Sequence, residues 1–294
     1  MHRLFYFNLT YACNNQCRDC ISQNVILKNS KFISVTDLES IVEEFMITAN
    51  DYWLFSGGEP TLSPYFSDII NYSFDKSPHI HLYTNGRKLK DISFEIIKKI
   101  ERILIPLYGP KSVHNDYVQS NIAYTETLLS IQNILKETTN KLEIKLMLDG
   151  KGSISNLLHS VDGNIILKNN NFSVTRVIKN DMEDIPSSIT DEASEIITYL
   201  LSLGKIVRFY DIPFCKLSKR LQYEIRTKLI EGFNFDSNVI CGNKNQRYVK
   251  FSFNKASDYF SQCPTCSDSM LCCKIMQNIF CPAVSRDKVL ILTE

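Results

Sequence analysis

Along this chain the apolar positions switch repeatedly between the alternation of a strand and the three-and-four spacing of a helix. Leu4–Thr10 (LFYFNLT) reads as a short, aromatic-rich strand. From Ser34, the run SVTDLESIVEEF sets Leu38, Ile41, Val42 and Phe45 on one helical face, and Ser34 with Asp37 makes a capping pair. Further strands are predicted at Trp53–Phe55, His79–Tyr83, Ile103–Tyr108, Leu142–Leu148 and Ser173–Ile178. Between them, Tyr124, Leu128, Ile131 and Leu135 mark an amphipathic helix, and Ala193, Ile196, Ile197 and Leu200 mark another within Thr190–Leu203.

Strand–helix repetition of this kind predicts a parallel α/β sheet with right-handed crossovers, either open or rolled into a barrel. A boundary is expected near Leu203–Lys205, which divides the chain into 1–205 and 206–294. In a barrel the working groups sit on loops after the C-terminal strand ends. Three unusual sequences fall there: Cys13–Cys20, Gly57–Pro60 and Thr84–Gly86.

Charge alters this picture little. Thirty-three basic residues face 32 acidic ones, a net charge of +1, which disfavours a nucleic-acid binder built on a broad cationic surface. No apolar run approaches the roughly 18 residues of a membrane span, and a cytoplasmic location is expected. Cysteine alters it a great deal. Ten are present, with Cys13, Cys17 and Cys20 at the start and none again until Cys215. Without a secretory signal, such thiols point to metal rather than to disulfides.

Cys13, Cys17 and Cys20 form C-x3-C-x2-C. Three thiolates on a short polar loop can hold three irons of a [4Fe–4S] cube and leave the fourth open, as a catalytic cluster requires. A zinc site completed by a distant residue is the alternative. Followed by Gly57-Gly58-Glu59-Pro60 after the second strand, this motif resembles the radical S-adenosylmethionine (radical SAM) superfamily, over roughly the first 210 residues. The resemblance implies a partial (βα)6 TIM-like barrel and SAM chelated to the open iron. Reductive cleavage would then give a 5′-deoxyadenosyl radical that abstracts a substrate hydrogen. It also implies site roles: Gly57 and Gly58 offer backbone carbonyls to the SAM amino group, Glu59 supports them with charge, and Pro60 fixes the turn. Thr84 and Asn85 would lie near the ribose and methionine, and Arg176 near the SAM carboxylate. The structural alternatives are an ordinary glycine turn, a strand-end turn and a salt-bridge arginine. Leu107-Tyr108-Gly109 and His114-Asn115-Asp116 resemble the peptide-modifying branch, but capping or packing explains them as well, and no residue is assigned a catalytic role. Where relatives carry an aromatic residue before the third cysteine, this chain has Asp19, which puts the adenine contact in doubt.

Cys263-x2-Cys266-x5-Cys272 resembles the auxiliary-cluster tails called SPASM and twitch. The resemblance implies one further [4Fe–4S] cluster on Cys215, Cys263, Cys266 and Cys272, with Cys241, Cys273 and Cys281 as other candidates. A four-thiolate zinc site is the alternative. The function expected is hydrogen abstraction from a peptide or protein in ribosomal peptide maturation. The partners expected are a reductant such as flavodoxin or ferredoxin and, because the first strand begins at about Leu4, a separate leader-peptide-binding protein or the barrel itself. The other readings are a radical SAM enzyme acting on a nucleotide, sugar or cofactor precursor, for which Arg87, Arg176 and Arg208 are the candidate cations, and a non-catalytic Fe–S or zinc protein. Substrate, bond formed and oligomeric state are not legible.

Overall fold

The computed structural model of the 294-residue chain describes residues 4–20, 31–138, 140–177, 185–210, 212, 216–228, 239–241 and 249–251. Seven parallel strands carry it: β1 (Leu4–Thr10), β2 (Tyr52–Gly57), β3 (Ile80–Tyr83), β4 (Arg102–Leu107), β5 (Leu142–Leu148), β6 (Asn171–Arg176) and β7 (Ile206–Tyr210). Past β1, the short β8 (Val239–Cys241) runs parallel to it, and β9 (Val249–Phe251) runs antiparallel to β8. The order across the sheet is β7, β6, β5, β4, β3, β2, β1, β8, β9.

Six strands form where the hydrophobic pattern predicts them. The seventh, β7, and the pair β8–β9 come from beyond residue 205, so the sheet itself continues across the expected boundary. Cys241 closes β8, with its backbone beside Tyr6 of β1. Cys215, Cys263, Cys266, Cys272, Cys273 and Cys281 lie outside the described residues.

Helices return the chain between parallel strands: α1 (Val35–Glu44), α2 (Phe66–Lys76), α3 (Phe94–Lys99), α4 (Lys111–Val118), α5 (Ala123–Glu137), α6 (Ser153–Leu158), α7 (Val161–Ile166) and α8 (Ser187–Ser202), with α9 (Lys219–Lys228) following β7. The predicted cap of α1 is present, since Ser34 Oγ accepts from Asp37 N at 3.2 Å while Ser34 N donates to Asp37 Oδ2 at 3.0 Å. The buried stripe of α5 is rotated from the predicted one. Tyr124, Thr127, Ser130, Ile131 and Ile134 are buried, whereas Leu128 and Leu135 are only partly so. The rotation brings two hydroxyls onto the loop after β3: Thr127 Oγ1 donates to Asn85 O at 2.9 Å, and Lys90 N donates to Ser130 Oγ at 3.1 Å.

The sheet has two unlike faces. Phe7, Trp53, Leu82, Ile105, Ile144 and Val174 pack beneath the helices in one continuous core. The intervening residues point the other way, and on this inner face Tyr6, Tyr52, Leu54 and Tyr83 cluster under β1–β3. Under β4–β7 the inner face carries Arg102, Glu143, Lys145, Ser173 and Arg208. Strands buried on both faces normally read as unbroken apolar runs. The alternation in LEIKLML records that one wall is kept polar. Among the described residues, no helix is long and apolar enough to cross a membrane.

Candidate active site

β1 delivers the chain to the C-terminal edge of the sheet, where it turns into the loop that carries Cys13, Cys17 and Cys20. Thr10 Oγ1 accepts from Ala12 N at 3.0 Å, Asn15 N–H points at Cys13 Sγ at 3.4 Å, and Cys20 N donates to Cys17 O at 3.2 Å. All three thiols are half-buried and outside any disulfide. Burial pushes Cys13 up to about 11 and Cys17 to about 12, and the charges of neighbouring thiolates push the same way. Thiols so placed stay protonated until a cation takes the proton's place. Among the described residues, no three His, Cys, Asp or Glu side chains converge on a single ion. A zinc ion would need every sulfur about 2.3 Å from one centre, whereas an iron–sulfur cube gives each thiolate its own iron. The three thiols are close enough to feel one another's charge, as the three thiolate ligands of one cube would be.

The loop after β2 docks directly onto this segment. Gly58 N donates to Thr10 O and Glu59 N to Ala12 O, both at 2.7 Å. The approach is so close that a Cβ on Gly57, whose φ is +136°, would lie 2.2 Å from Thr10 O. One on Gly58 would lie 2.3 Å from Ala12 O. Backbone-on-backbone packing is thus the visible reason for two glycines here.

Glu59 is fully buried and joins the loop after β2 to the loop after β3. Its Oε1 accepts from Thr61 N at 3.1 Å, Thr61 Oγ1 at 2.6 Å and Thr84 Oγ1 at 2.7 Å, while Oε2 accepts from Asn85 N at 2.7 Å. The expected role of charge support is therefore accompanied by a structural clamp. Pro60 opens the 3₁₀ turn Pro60–Leu62 that presents Thr61 to the carboxylate. Asn85 reaches on to the cysteine loop, with Nδ2 donating to Asn14 Oδ1 at 2.6 Å.

Arg87, read from the sequence as a candidate phosphate-binding cation, is spent on the same loop. Its Nη1 donates to Asn14 O and, at 2.9 Å, to Asn15 Oδ1, while Nε donates to Glu126 Oε2 at 2.7 Å. Replacing it, as in Arg87→Met, should loosen the cysteine loop and destabilise the protein by about 2–4 kcal/mol, because buried acceptors lose charged donors. Chemical denaturation would read the stability, and iron retained by the Cys13–Cys20 loop after gel filtration the site. An unchanged iron content would refute the bracing role.

The third brace comes from α4 and was not legible beforehand. Gln16 N donates to Val118 O at 3.0 Å and Arg18 N to Tyr117 O at 3.1 Å, and Arg18 pairs with Asp116 at 2.5 Å. The Tyr117 hydroxyl hydrogen-bonds the backbone of Asp19, and its ring stacks on Tyr108 at 3.9 Å between centroids. An aromatic ring therefore does reach the segment where Asp19 replaces one, but from α4. Packing and capping account for the His-Asn-Asp run. His114 is buried edge-on to Tyr108 and Tyr124, and burial lowers its pKa to about 4. Asn115 Oδ1 accepts from Tyr124 N at 2.8 Å, capping α5. Arg176 closes β6 in register with Leu148, and strand alternation groups it with Phe172 and Val174 on the helix side.

Cys13, Cys17, Cys20, Gly57–Pro60, Thr84 and Asn85, far apart in sequence, are thus brought together at one end of the sheet. Only the flanking residues Asn14 and Arg87 carried a signal that could have added them, through their adjacency to those motifs.

Residues 7–149 match the family model for the radical SAM superfamily. Mycofactocin maturase MftC of Mycobacterium tuberculosis is 25% identical over 133 residues, which cover 44% of this chain and 33% of the maturase. GTP 3′,8-cyclase of Vibrio vulnificus is 33% identical over 76 residues, 24% of this chain and 23% of the cyclase. The matched part thus spans about a third or less of these relatives' length. Among solved structures, native anSMEcpe with bound AdoMet superposes with a TM-score of 0.60 at 14% identity, covering 92% of this chain and 88% of that one. Streptococcus suis SuiB bound to precursor peptide SuiA gives 0.57 at 13% identity, covering 81% and 56%. These superpositions speak for the fold, a partial TIM barrel. The sequence match spans the same segment that builds the cysteine loop and its braces, and that segment, residues 7–149, is a radical SAM domain.

Proposed function

We propose that this protein is a radical SAM enzyme whose substrate is a peptide or protein, matured by hydrogen abstraction. The observation that carries the reading is the junction of Cys13–Cys20 with Gly57–Pro60 and Thr84–Asn85, held by Glu59. In this reading Cys13, Cys17 and Cys20 hold a [4Fe–4S] cluster. Gly57, Gly58, Thr84 and Asn85 bind SAM, with Arg176 as the expected carboxylate partner. The loaded cluster supplies reductive cleavage of SAM to methionine and a 5′-deoxyadenosyl radical. The chain's own part is to hold the cysteine loop in one geometry and to offer a polar-walled barrel interior to the substrate.

A peptide substrate is supported by a maturase among the relatives and by a precursor-peptide complex among the structural neighbours, and the match to GTP 3′,8-cyclase supports a nucleotide substrate as the second reading. The use of Arg87 within the protein removes one of the three cations that a nucleotide substrate would call on. Cys215, Cys263, Cys266 and Cys272 are assigned to an auxiliary cluster in the region 206–294. A flavodoxin- or ferredoxin-type reductant, a separate leader-binding protein and a cytoplasmic location complete the proposal.

Anaerobic reconstitution followed by iron and sulfide counting tests it. Wild type should hold about eight irons and a Cys13→Ala/Cys17→Ala/Cys20→Ala variant about four. Only wild type should release 5′-deoxyadenosine from SAM under dithionite. A fully loaded wild type that forms no 5′-deoxyadenosine would overturn the assignment.

A further inference from the structure

We propose that the open cleft between α4, the start of α5 and the start of α7 is an exosite that holds an extended stretch of the peptide substrate by its backbone. The proposal rests on the peptide reading above for its occupant, but the site itself is drawn from the cleft. Lys111, Ser112, Asn115 and Asp116 come from α4, Asn121 from the turn before α5, and Ser160 and Asp162 from the start of α7. The space measures about 660 Å³, within the roughly 300–1,000 Å³ of ligand sites, and is open to solvent. Pro110, three residues past the end of β4 at Leu107, places it at the same end of the sheet as the cysteine loop. It adjoins that loop, because Asp116 pairs with Arg18 at 2.5 Å.

Hydrogen bonds between the three elements give the cleft its shape before any ligand arrives. Asn115 Nδ2 donates to Asn121 O and Asn115 Oδ1 accepts from Tyr124 N, both at 2.8 Å, which spends the whole carboxamide within the protein. From the core, Tyr124 Oη donates to Asp162 Oδ2 at 2.9 Å. Other lining groups are unspent. Among the described residues, the Lys111 ammonium, the Ser112 hydroxyl and the Asn121 carboxamide make no hydrogen bond or ion pair. Asp116 and Asp162 each use one carboxylate oxygen, so Asp116 Oδ2 and Asp162 Oδ1 are available as acceptors. A preformed site with unspent donors and acceptors needs little reorganisation to bind.

Charge balance and the lips of the cleft name the ligand. Asp116 is neutralised by Arg18, and Lys111 offsets Asp162. A cleft without net charge selects neither a polyanion nor a polycation. It offers donors and acceptors together, which an extended peptide meets with one N–H and one C=O per residue. Ile122, next to Asn121, is 57% exposed, and Val161, between Ser160 and Asp162, is 81% exposed. Single exposed apolar residues carry no message, but two aliphatic chains beside one polar cleft suit a partner whose backbone polar groups alternate with aliphatic side chains. Among the described residues, no aromatic ring lines the cleft to stack on a sugar. An open cleft also encloses a small molecule poorly, whereas a chain can run through it toward the cysteine loop.

The test uses the reconstituted full-length protein with SAM and the neutral capped peptide Ac-Ser-Val-Ser-Val-Ser-NH2, with affinities from ligand-observed NMR. The same peptide N-methylated at both valines, which removes two backbone donors, should bind about fivefold more weakly, and maltotriose more weakly still. Ser112→Ala/Asn121→Ala deletes unspent groups without removing a side-chain hydrogen bond of the protein. Its melting temperature and its 5′-deoxyadenosine formation without peptide should hold, while affinity for the parent peptide falls at least threefold. Ile122→Ser/Val161→Ser, at exposed positions, should weaken the valine peptide and leave its all-alanine counterpart unchanged. No peptide binding to a protein that forms 5′-deoxyadenosine, equal affinity for the N-methylated peptide, maltotriose binding as tight as peptide, or unchanged affinity in both variants would each overturn the exosite. Peptide binding that both variants weaken, in a fully loaded protein that forms no 5′-deoxyadenosine, would uphold the exosite and overturn the radical SAM activity instead.

Discussion

Glu59→Ala should abolish SAM binding and empty the Cys13–Cys20 site of iron, while destabilising the fold by about 3–5 kcal/mol. Four donors converge on this carboxylate: the backbone N–H of Thr61 and of Asn85, and the hydroxyls of Thr61 and Thr84. Alanine leaves all four in a fully buried space with no acceptor, and it disconnects the loop after β2 from the loop after β3. Asn85 then loses the bond that aims it at Asn14, so the damage passes to the cysteine loop. Glu59→Gln is the instructive comparison. Its carbonyl can still take the two threonines, but its NH2 must face the Asn85 N–H, donor against donor, at about 1–3 kcal/mol.

Burial raises the Glu59 pKa above its usual value, outweighing the four hydrogen bonds that lower it. The folded state therefore holds the proton more tightly than the unfolded chain. No stability is lost to this effect below the ordinary carboxylate range, and the loss builds as pH rises through that range toward the folded value. Glu59→Gln should flatten that part of the stability–pH curve. Urea melts across pH 4–8, with iron analysis and SAM titration, would settle the matter. Full iron and SAM binding in Glu59→Ala would show that the clamp is dispensable.

Gly58→Ala is expected to be nearly as damaging for a different reason. The added Cβ would sit 2.3 Å from Ala12 O and 2.6 Å from Tyr11 O, and both obstacles are backbone, which cannot rotate away. To accept it, the strand end must retreat from the cysteine loop, breaking the Gly58–Thr10 and Glu59–Ala12 hydrogen bonds. A loss of about 3 kcal/mol, or roughly 6–12 °C in Tm, should accompany loss of iron from the N-terminal site. Gly152→Ala controls for the change in residue type. Gly152 also has a positive φ of +75°, but nothing lies within 4 Å of its added Cβ. That variant should lose only about 1–2 kcal/mol of backbone strain and keep its iron. Equal iron loss in both variants would remove close approach as the explanation.

How much of this was legible depended on whether the physics was local. Alternation and helical spacing are properties of a few consecutive residues, so six strands, the capping box of Ser34 and Asp37, and the apolar layer beneath the helices could be read from the chain. The strand β7 was less legible because IVRFY follows α8 after only three residues and is too short to set a period of its own. The motifs Cys13–Cys20, Gly57–Pro60 and Thr84–Asn85 were likewise legible, because each is contiguous and chemically unusual.

What those residues do to one another was not. The family resemblance presents Glu59 as a charge near a cofactor, and the sequence presents Arg87 as a cation available for phosphate. Only the parallel register, which stacks the ends of β1, β2 and β3, makes the first a clamp and the second a brace. Tyr117 and Arg18 meet because α4 ends beside the cysteine loop, and Lys145, Ser173 and Arg208 form a row because β5, β6 and β7 align. The sequence alone determined the order of the strands along the chain, the clustering of the thiols and the motifs that resemble a radical SAM domain, since each is carried by neighbours in sequence. The tertiary structure alone decided which charges are already satisfied and which face the interior, because pairing depends on residues that distant segments bring within hydrogen-bond reach.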